Sequence, residues 1–284
     1  MSDALDPELS LPSDGFVRNR KEPKVRWDDD VVDPEASTYL FATHGPEPPP
    51  PWVITEDAAR QRELGMLKTG KEADVHLVER RVGDRVNILA AKRYRSLDER
   101  MFRNDARYRQ SRRTGIRRVD LAMARGTRAG MAFRADQWVQ AEFDALCRLW
   151  AAGVSVPYPV QRLGHEIMVE YLGDESGAAP RLVATKPSGP EAEALFAQLM
   201  EILARMAALG VVHGDLSPYN LLVWHGRLYA IDFPQAVDPI LNPDGMGLLE
   251  RDVANCCSWF AKRGVESADP GRVLSEVAAW VFSR

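Results

Sequence analysis

Cysteine is scarce in this chain of 284 residues, and the three present, Cys147, Cys256 and Cys257, have neither the even number of a disulfide framework nor the spacing of a zinc site. The five histidines do not cluster. Long apolar runs are also missing: nothing near 18 residues appears in a chain that is 45% hydrophobic, so no membrane-spanning helix is expected. No signal peptide is visible, and the composition predicts a soluble, cytoplasmic protein with reduced thiols and a sizeable core. One further absence removes a decoy. Gly65 to Glu72 reads G-x-x-x-x-G-K-E, and Glu72 stands where a Walker A loop needs the Ser or Thr hydroxyl that binds Mg²⁺. A strand rather than a helix is expected after Lys71, which also argues against that loop.

What the chain does have is His213-Gly214-Asp215-Leu216-Ser217-Pro218-Tyr219-Asn220, followed by Ile231-Asp232-Phe233. Two carboxylates and a carboxamide at this spacing are the parts of a phosphoryl-transfer site. An Asp in H-x-D-x-x-x-x-N receives or positions the acceptor hydroxyl, the Asn holds a metal, and a second Asp beyond a hairpin holds the metal bridging the phosphates. Asp215, Asn220 and Asp232 occupy those positions. The apolar runs Leu221–Trp224 and Leu228–Ile231, with a turn at Gly226-Arg227, predict a hairpin that brings Asn220 and Asp232 to the same end.

Such a site needs a cation at the phosphates, a group to orient it, and backbone donors over the nucleotide. Leu67 to Val78 reads as strand, turn, strand, with Gly70 in the turn; Lys68, Thr69, Gly70 and Lys71 are its candidate phosphate contacts. Val86 to Lys92 is a third apolar run ending in the candidate phosphate-pairing lysine. Asp136 to Ala152 has helical spacing, with Asp136 as N-cap and Gly153 beyond its end, and Glu142 lies at the edge of its apolar stripe, able to reach Lys92. A second strong helix is expected over 191–209, with Pro190 at its start.

With these residues in place the chain resembles the RIO family of atypical serine/threonine protein kinases, over about Met66 to Ser258. Thr69-Gly70-Lys71-Glu72-Ala73-Asp74-Val75 is similar to the family's S-T-G-K-E-A-N-V, with Lys68 in place of the first Ser and Asp74 in place of Asn. Trp138 to Leu146 is similar to W-A-E-K-E-x-x-x-L, which puts the family's helix Glu on Glu142. Ile167 to Gly173 looks like the hinge, implying that backbone groups of Glu170 and Leu172 meet adenine. The resemblance implies an α+β, two-lobed, protein-kinase-like fold with a small antiparallel sheet lobe, a mainly helical lobe and a truncated C-terminal region; 52 residues follow Asp232, with no Ala-Pro-Glu among them. It implies ATP with Mg²⁺ or Mn²⁺, transfer of the γ-phosphoryl group to a Ser or Thr hydroxyl, and self-phosphorylation. Asp215, Lys92 and Glu142 would be catalytic, and Asn220 and Asp232 would bind metal. Gly214 replaces the family's usual Ala, and the chain lacks room for the winged helix of one branch.

The expected organisation is a Pro-rich, disordered or weakly docked arm over 1–52 and a kinase domain over 53–284. Within the latter the sheet lobe spans 53–168, the hinge 169–173 and the helical lobe 174–284. A basic insert over 93–134 interrupts the first lobe: from Lys92 to Arg134 there are fourteen Lys or Arg against four acids in a chain of net charge −4. Clustered arginines suit RNA, a ribosomal partner or another acidic surface, and equally a solvated arm on this protein's own acidic face. Gln110-Ser111-Arg112-Arg113-Thr114 also offers hydroxyls for phosphorylation. Two other functions share these motifs. A small-molecule phosphotransferase of the aminoglycoside or choline type shares H-G-D-x-x-x-x-N and I-D-F, and an ATPase switch in ribosome or RNA assembly would use the basic insert.

Overall fold

The computed structural model describes residues 35 to 70, 72 to 95 and 128 to 283, with side chains for all of these but 128 to 135. Lys71 and most of the basic insert lie outside the described residues, as does the arm up to residue 34. The sheet lobe is one six-stranded antiparallel sheet. In chain order its strands are β1 (Thr43–His44), β2 (Arg60–Thr69), β3 (Ala73–Val82), β4 (Arg85–Tyr94), β5 (Pro159–Leu163) and β6 (Glu166–Glu170), and in space they run β1-β5-β6-β4-β3-β2. Two short strands, β7 (Gly173–Asp174) and β8 (Gly177–Ala178), follow.

Alternation along β4 gives the sheet two unlike faces. Leu89 and Ala91 are buried on one, in a cluster with Tyr39, Val53, Tyr158, Val160 and Met168. Lys92 belongs to the other, where Ala73, Tyr94 and Ile167 pack on Val139 and Phe143 of helix α1 (Arg128–Ala151). The helix begins before Asp136, so Asp136 is not its N-cap; the carboxylate instead pairs with Arg162 Nη1 at 3.0 Å. Further along, Leu146 and Leu149 enter the core of the second lobe, so α1 spans both halves.

The first face is covered by residues expected to belong to the arm. From Glu35 onward the chain is docked: β1 pairs with β5, Gly45 N–H donates to Val160 O at 3.2 Å, and Tyr158 Oη donates to Pro46 O at 2.9 Å. The proline run did not prevent this, because Tyr39, Val53 and Ile54 supply apolar area. Beneath that cover lies Arg80, fully buried, donating to Ile54 O at 3.1 Å and to Gln61 and Gln161, with its guanidinium 5.4 Å from the Tyr39 ring. Burial pushes its pKa down to about 10.

The helical lobe contains α2 (Pro190–Ala208), α3 (Gly245–Ala261) and α4 (Pro270–Phe282) around the hairpin β9 (Leu221–Trp224) and β10 (Arg227–Ala230). Its core is continuous, from Leu195, Leu199 and Ile202 of α2 through Leu221 and Leu228 to Val253, Cys256 and Phe260. The hairpin turn is at His225-Gly226, one residue before the expected position, and both residues take positive φ as a two-residue hairpin loop demands. All three cysteines are free thiols, two of them buried. No helix among the described residues is long and apolar enough to cross a membrane.

Candidate active site

The hairpin does what the spacing requires. Ile231 N–H donates to Asn220 O at 3.0 Å, tying the end of the loop to the residue before Asp232. His213 adds a second tie. Its Nε2 donates to Ile231 O at 3.0 Å, while Asp215 N–H donates to its Nδ1 at 3.3 Å. That pair of partners defines a neutral imidazole with the proton on Nε2, in keeping with burial pushing the histidine pKa down. Thus one buried ring holds the backbone of both aspartates.

Asn220 directs its Nδ2 at Asp215, 2.9 Å from the carbonyl and 3.3 Å from Oδ2. With its amide nitrogen so engaged, the amide oxygen is the atom left to face a cation. Asp232 has φ of 73°, a conformation that non-glycine residues adopt only where the surroundings impose it. A carboxylate and an amide oxygen held at one hairpin end form a hard-oxygen donor set of the kind that fits Mg²⁺.

From the sheet lobe, Lys92 Nζ reaches Glu142 Oε1 at 2.7 Å and Asp232 Oδ1 at 2.6 Å. Lys92, Glu142 and Asp232 therefore meet. Burial opposes the charge on Lys92, but the two carboxylates outweigh it and hold its pKa above the usual value. Glu142 is buried and held above the carboxylate range by burial, with Asp232 adding to this and Lys92 pulling the other way. For Asp232, an exposed residue, the balance is reversed: against some desolvation the Lys92 ammonium holds its pKa below the usual value.

Of the remaining candidates, Lys71 lies outside the described residues and the others are held as follows. Lys68, Val75 and Lys92 lie opposite one another across β2, β3 and β4, so their side chains share the face turned toward the helical lobe. Thr69 Oγ1 donates to Asp74 Oδ1 at 2.5 Å and receives Arg95 Nη2 at 2.7 Å, while Gly70 N–H donates to Ala73 O at 3.0 Å. The Thr69 hydroxyl is thus engaged within its own turn, and the Asp that departs from the family motif is its partner. Glu170 is tied to Tyr158 twice: its backbone N–H donates to Tyr158 O at 2.8 Å, and its carboxylate accepts Tyr158 N–H at 3.1 Å. Leu172 O accepts Ala179 N–H at 2.8 Å.

Sequence reasoning missed Asp252. It is buried on α3, and its two carboxylate oxygens accept Gly214 N–H at 2.7 Å and Leu216 N–H at 2.8 Å, one bond on either side of exposed Asp215. Its neighbour Arg251 donates to Gly214 O. Burial raises the Asp252 pKa to about 7. An acid on the apolar stripe of a helix, one turn from buried Cys256, is the only sequence signal that could have drawn attention to it. Gly214 itself has φ of 82°, and a Cβ there would lie 2.5 Å from Gln235 O, so a backbone requirement accounts for the glycine.

The RIO domain family model matches residues 76–273. Among curated proteins, the chain is 36% identical over 136 residues to the RIO-type serine/threonine-protein kinase Rio1 of Thermoplasma acidophilum, covering 48% of this chain and 69% of that one. It is 32% identical over 203 residues to Rio1 of Haloferax volcanii, covering 72% and 64%, and 33% identical over 215 residues to RIO1 of Chaetomium thermophilum, covering 72% and 40%. The chain thus spans between about two fifths and about two thirds of these relatives' lengths. Among solved structures it is similar, at 23% identity and a TM-score of 0.53, to the Rio2 kinase of Chaetomium thermophilum in its ADP/Mg²⁺-phosphoaspartate complex, over 77% of this chain and 62% of that one. The fold is therefore kinase-like, and the chain belongs to the RIO family.

Proposed function

We infer that this chain is an ATP-dependent serine/threonine protein kinase that transfers the γ-phosphoryl group to a hydroxyl. The observation that carries the reading is the meeting of Lys92 with Glu142 and Asp232 beside the Asp215–Asn220 pair, because it joins a phosphate cation, its orienting carboxylate and the metal-binding hairpin end in one cleft. Asn220 and Asp232 would hold Mg²⁺, or Mn²⁺ by the same oxygen chemistry, and the ion would supply charge neutralisation at the phosphates. Lys92 binds the α- and β-phosphates, with Glu142 fixing its direction. Asp215, exposed between two anchored amides, orients the acceptor hydroxyl and receives its proton. Lys68, Thr69 and Gly70, joined by Lys71 on the sequence reading, would cover the phosphates, and backbone groups of Glu170 and Leu172 would contact adenine.

Protein acceptors, self-phosphorylation included, are favoured over aminoglycosides or choline. Gly214, the residue closest to that rival motif, is explained by its left-handed φ and its approach to Gln235 O, so it does not argue for a small-molecule acceptor. The charge of residues 92–134 supports binding of RNA or a ribosomal partner, and the free thiols support a cytoplasmic location. Labelled ATP and Mg²⁺ offered with a protein substrate, an aminoglycoside and RNA tests these readings together. Label on the protein supports them; label on the aminoglycoside alone, or phosphate release without transfer, overturns protein phosphorylation.

A further inference from the structure

The segment leaving the hinge runs alongside the catalytic hairpin and is fastened to it at three points. Val223 N–H donates to Pro180 O at 2.9 Å, Arg181 forms an antiparallel bridge with Leu222, and Val183 N–H donates to Pro218 O at 3.0 Å. Leu182 is fully buried in the helical-lobe core. Arg181, extended and immediately before it, turns its side chain to the face it shares with Leu222, two positions beyond Asn220.

In the sheet lobe Lys68 lies on the face that also carries Lys92, and Lys92 reaches Asp232 at the end of the same hairpin. Lys92 is paired with two carboxylates, whereas among the described residues neither the Lys68 nor the Arg181 side chain makes a hydrogen bond or an ion pair. The ammonium of Lys68, an exposed residue, is held below its ordinary pKa first by desolvation and next by the Arg181 guanidinium, with Asp232 pulling the other way. The two cations thus feel one another across the cleft, together with the carboxylate that would bind metal.

We propose that Arg181 is a nucleotide-phosphate ligand, closing on the anion from the helical lobe opposite Lys68 of the sheet lobe. The inference rests on the nucleotide reading of this cleft and adds to it a cation from the other side. Two unpaired like charges separated by a cleft repel one another, and a polyphosphate between them turns that repulsion into two charge-assisted contacts. Guanidinium suits the task, since its planar fork can engage two phosphate oxygens and stays charged throughout. The ligand class is therefore a nucleoside di- or triphosphate, bound in preference to a nucleoside.

The test is equilibrium binding of ATP, ADP and adenosine, with Mg²⁺, to the full chain and to Arg181→Ala, Arg181→Met and Arg181→Lys. Arg181→Ala should weaken ATP about tenfold, as loss of one charge-assisted phosphate contact does, and leave adenosine unchanged. Arg181→Lys should recover part of the loss, and added salt should narrow the gap between the parent chain and Arg181→Ala. The Met variant keeps the aliphatic stem, so it reports the charge should Ala disturb the fold; melting temperature verifies each variant. Unchanged ATP affinity in Arg181→Met, or an equal loss for adenosine and ATP, overturns the proposal. A parent chain that binds no Mg²⁺-ATP overturns the nucleotide reading itself, whereas a parent that binds it and an indifferent Arg181 variant overturn this inference alone.

Discussion

The two lobes hold their shares of the site by different means. In the helical lobe Asp215, Asn220 and Asp232 are fixed through backbone: Asp252 receives the amides on both sides of Asp215, His213 binds the carbonyl before Asp232, and a continuous apolar core lies beneath. In the sheet lobe the working groups are side chains reaching into the cleft, with Lys92 between carboxylates and Lys68 making no pair among the described residues. Backbone anchored in a core keeps its geometry whether or not a ligand is bound. Side-chain ion pairs can exchange partners when an anion and a metal arrive. The comparison assigns rigidity to the half that would position the acceptor, and adaptability to the half that would grip the phosphates.

The largest expected effect separates the two aspartates of the rigid half. Asp232→Asn removes an anionic oxygen from the hard-cation donor set and should abolish Mg²⁺-dependent turnover while also weakening Mg²⁺-ATP binding. Asp215→Asn should slow transfer by about 10²–10⁴-fold, the range for loss of a general base, with nucleotide affinity little changed. Single-turnover rates and titrations with Mg²⁺-ATP measure both. Equal binding losses in the two variants would break the assignment of separate roles.

The adaptable half should fail differently. Lys92→Met leaves Glu142 buried without its cation, a change worth about 3–5 kcal/mol when a buried pair loses one member. Lys92→Met with Glu142→Gln should regain much of that stability but no activity, because neutral Gln no longer needs the partner that catalysis still lacks. Rate losses of Lys92→Met and Glu142→Ala should also be non-additive, the double variant resembling Lys92→Met. Urea unfolding and initial rates on the four variants decide; strict additivity of either quantity means the two residues do not act as a unit.

Asp252 offers a pH test of the rigid half. Its folded pKa of about 7 lies above the ordinary value of 3.8, so between these limits the folded chain holds a proton that the unfolded chain has released. The contribution is fully present below the unfolded value and fades as pH rises through about 7. Stability measured by urea unfolding should therefore contain a component that declines from pH 5 to pH 8 and is missing in Asp252→Asn. Parallel profiles for the two proteins would remove Asp252 as the source.

Much of the geometry of this candidate site was legible because its spacing lies in short local patterns. The H-x-D-x-x-x-x-N run and the hairpin to Asp232 carry their spacing in the chain, and Glu142 one position from the apolar stripe of a helix already pointed inward. Asp252 and Arg181 were not legible, since each works through contacts made in space with the loop and hairpin around Asn220, at 36 and 41 positions from their partners Leu216 and Leu222. The docking of residues 35 to 52 was hidden by prolines that suggested an arm. What holds that segment is Tyr39, Val53 and a network around Arg80, a charged residue no pattern marks as buried. The Asp136 cap failed because the helix continues toward Arg128, where no apolar period announces it.

The smallest effect concerns a single methyl group in the rigid half. Gly214 has φ of 82°, and a Cβ would come within 2.5 Å of Gln235 O, a backbone atom that cannot rotate away. Gly214→Ala must therefore adopt a disfavoured conformation and also push against the segment after Asp232, at a cost of about 1–3 kcal/mol. Its neighbours on the loop are held by Asp252, so the strain should appear as a lower melting temperature and a slower transfer step, with Mg²⁺-ATP affinity preserved. Unchanged stability and rate would show that the loop can shift, and that backbone anchoring is softer in the helical lobe than its hydrogen bonds to Asp252 imply. A loss of nucleotide affinity with transfer intact would reverse the comparison, placing adaptability in the catalytic loop and rigidity in the cation face of the sheet.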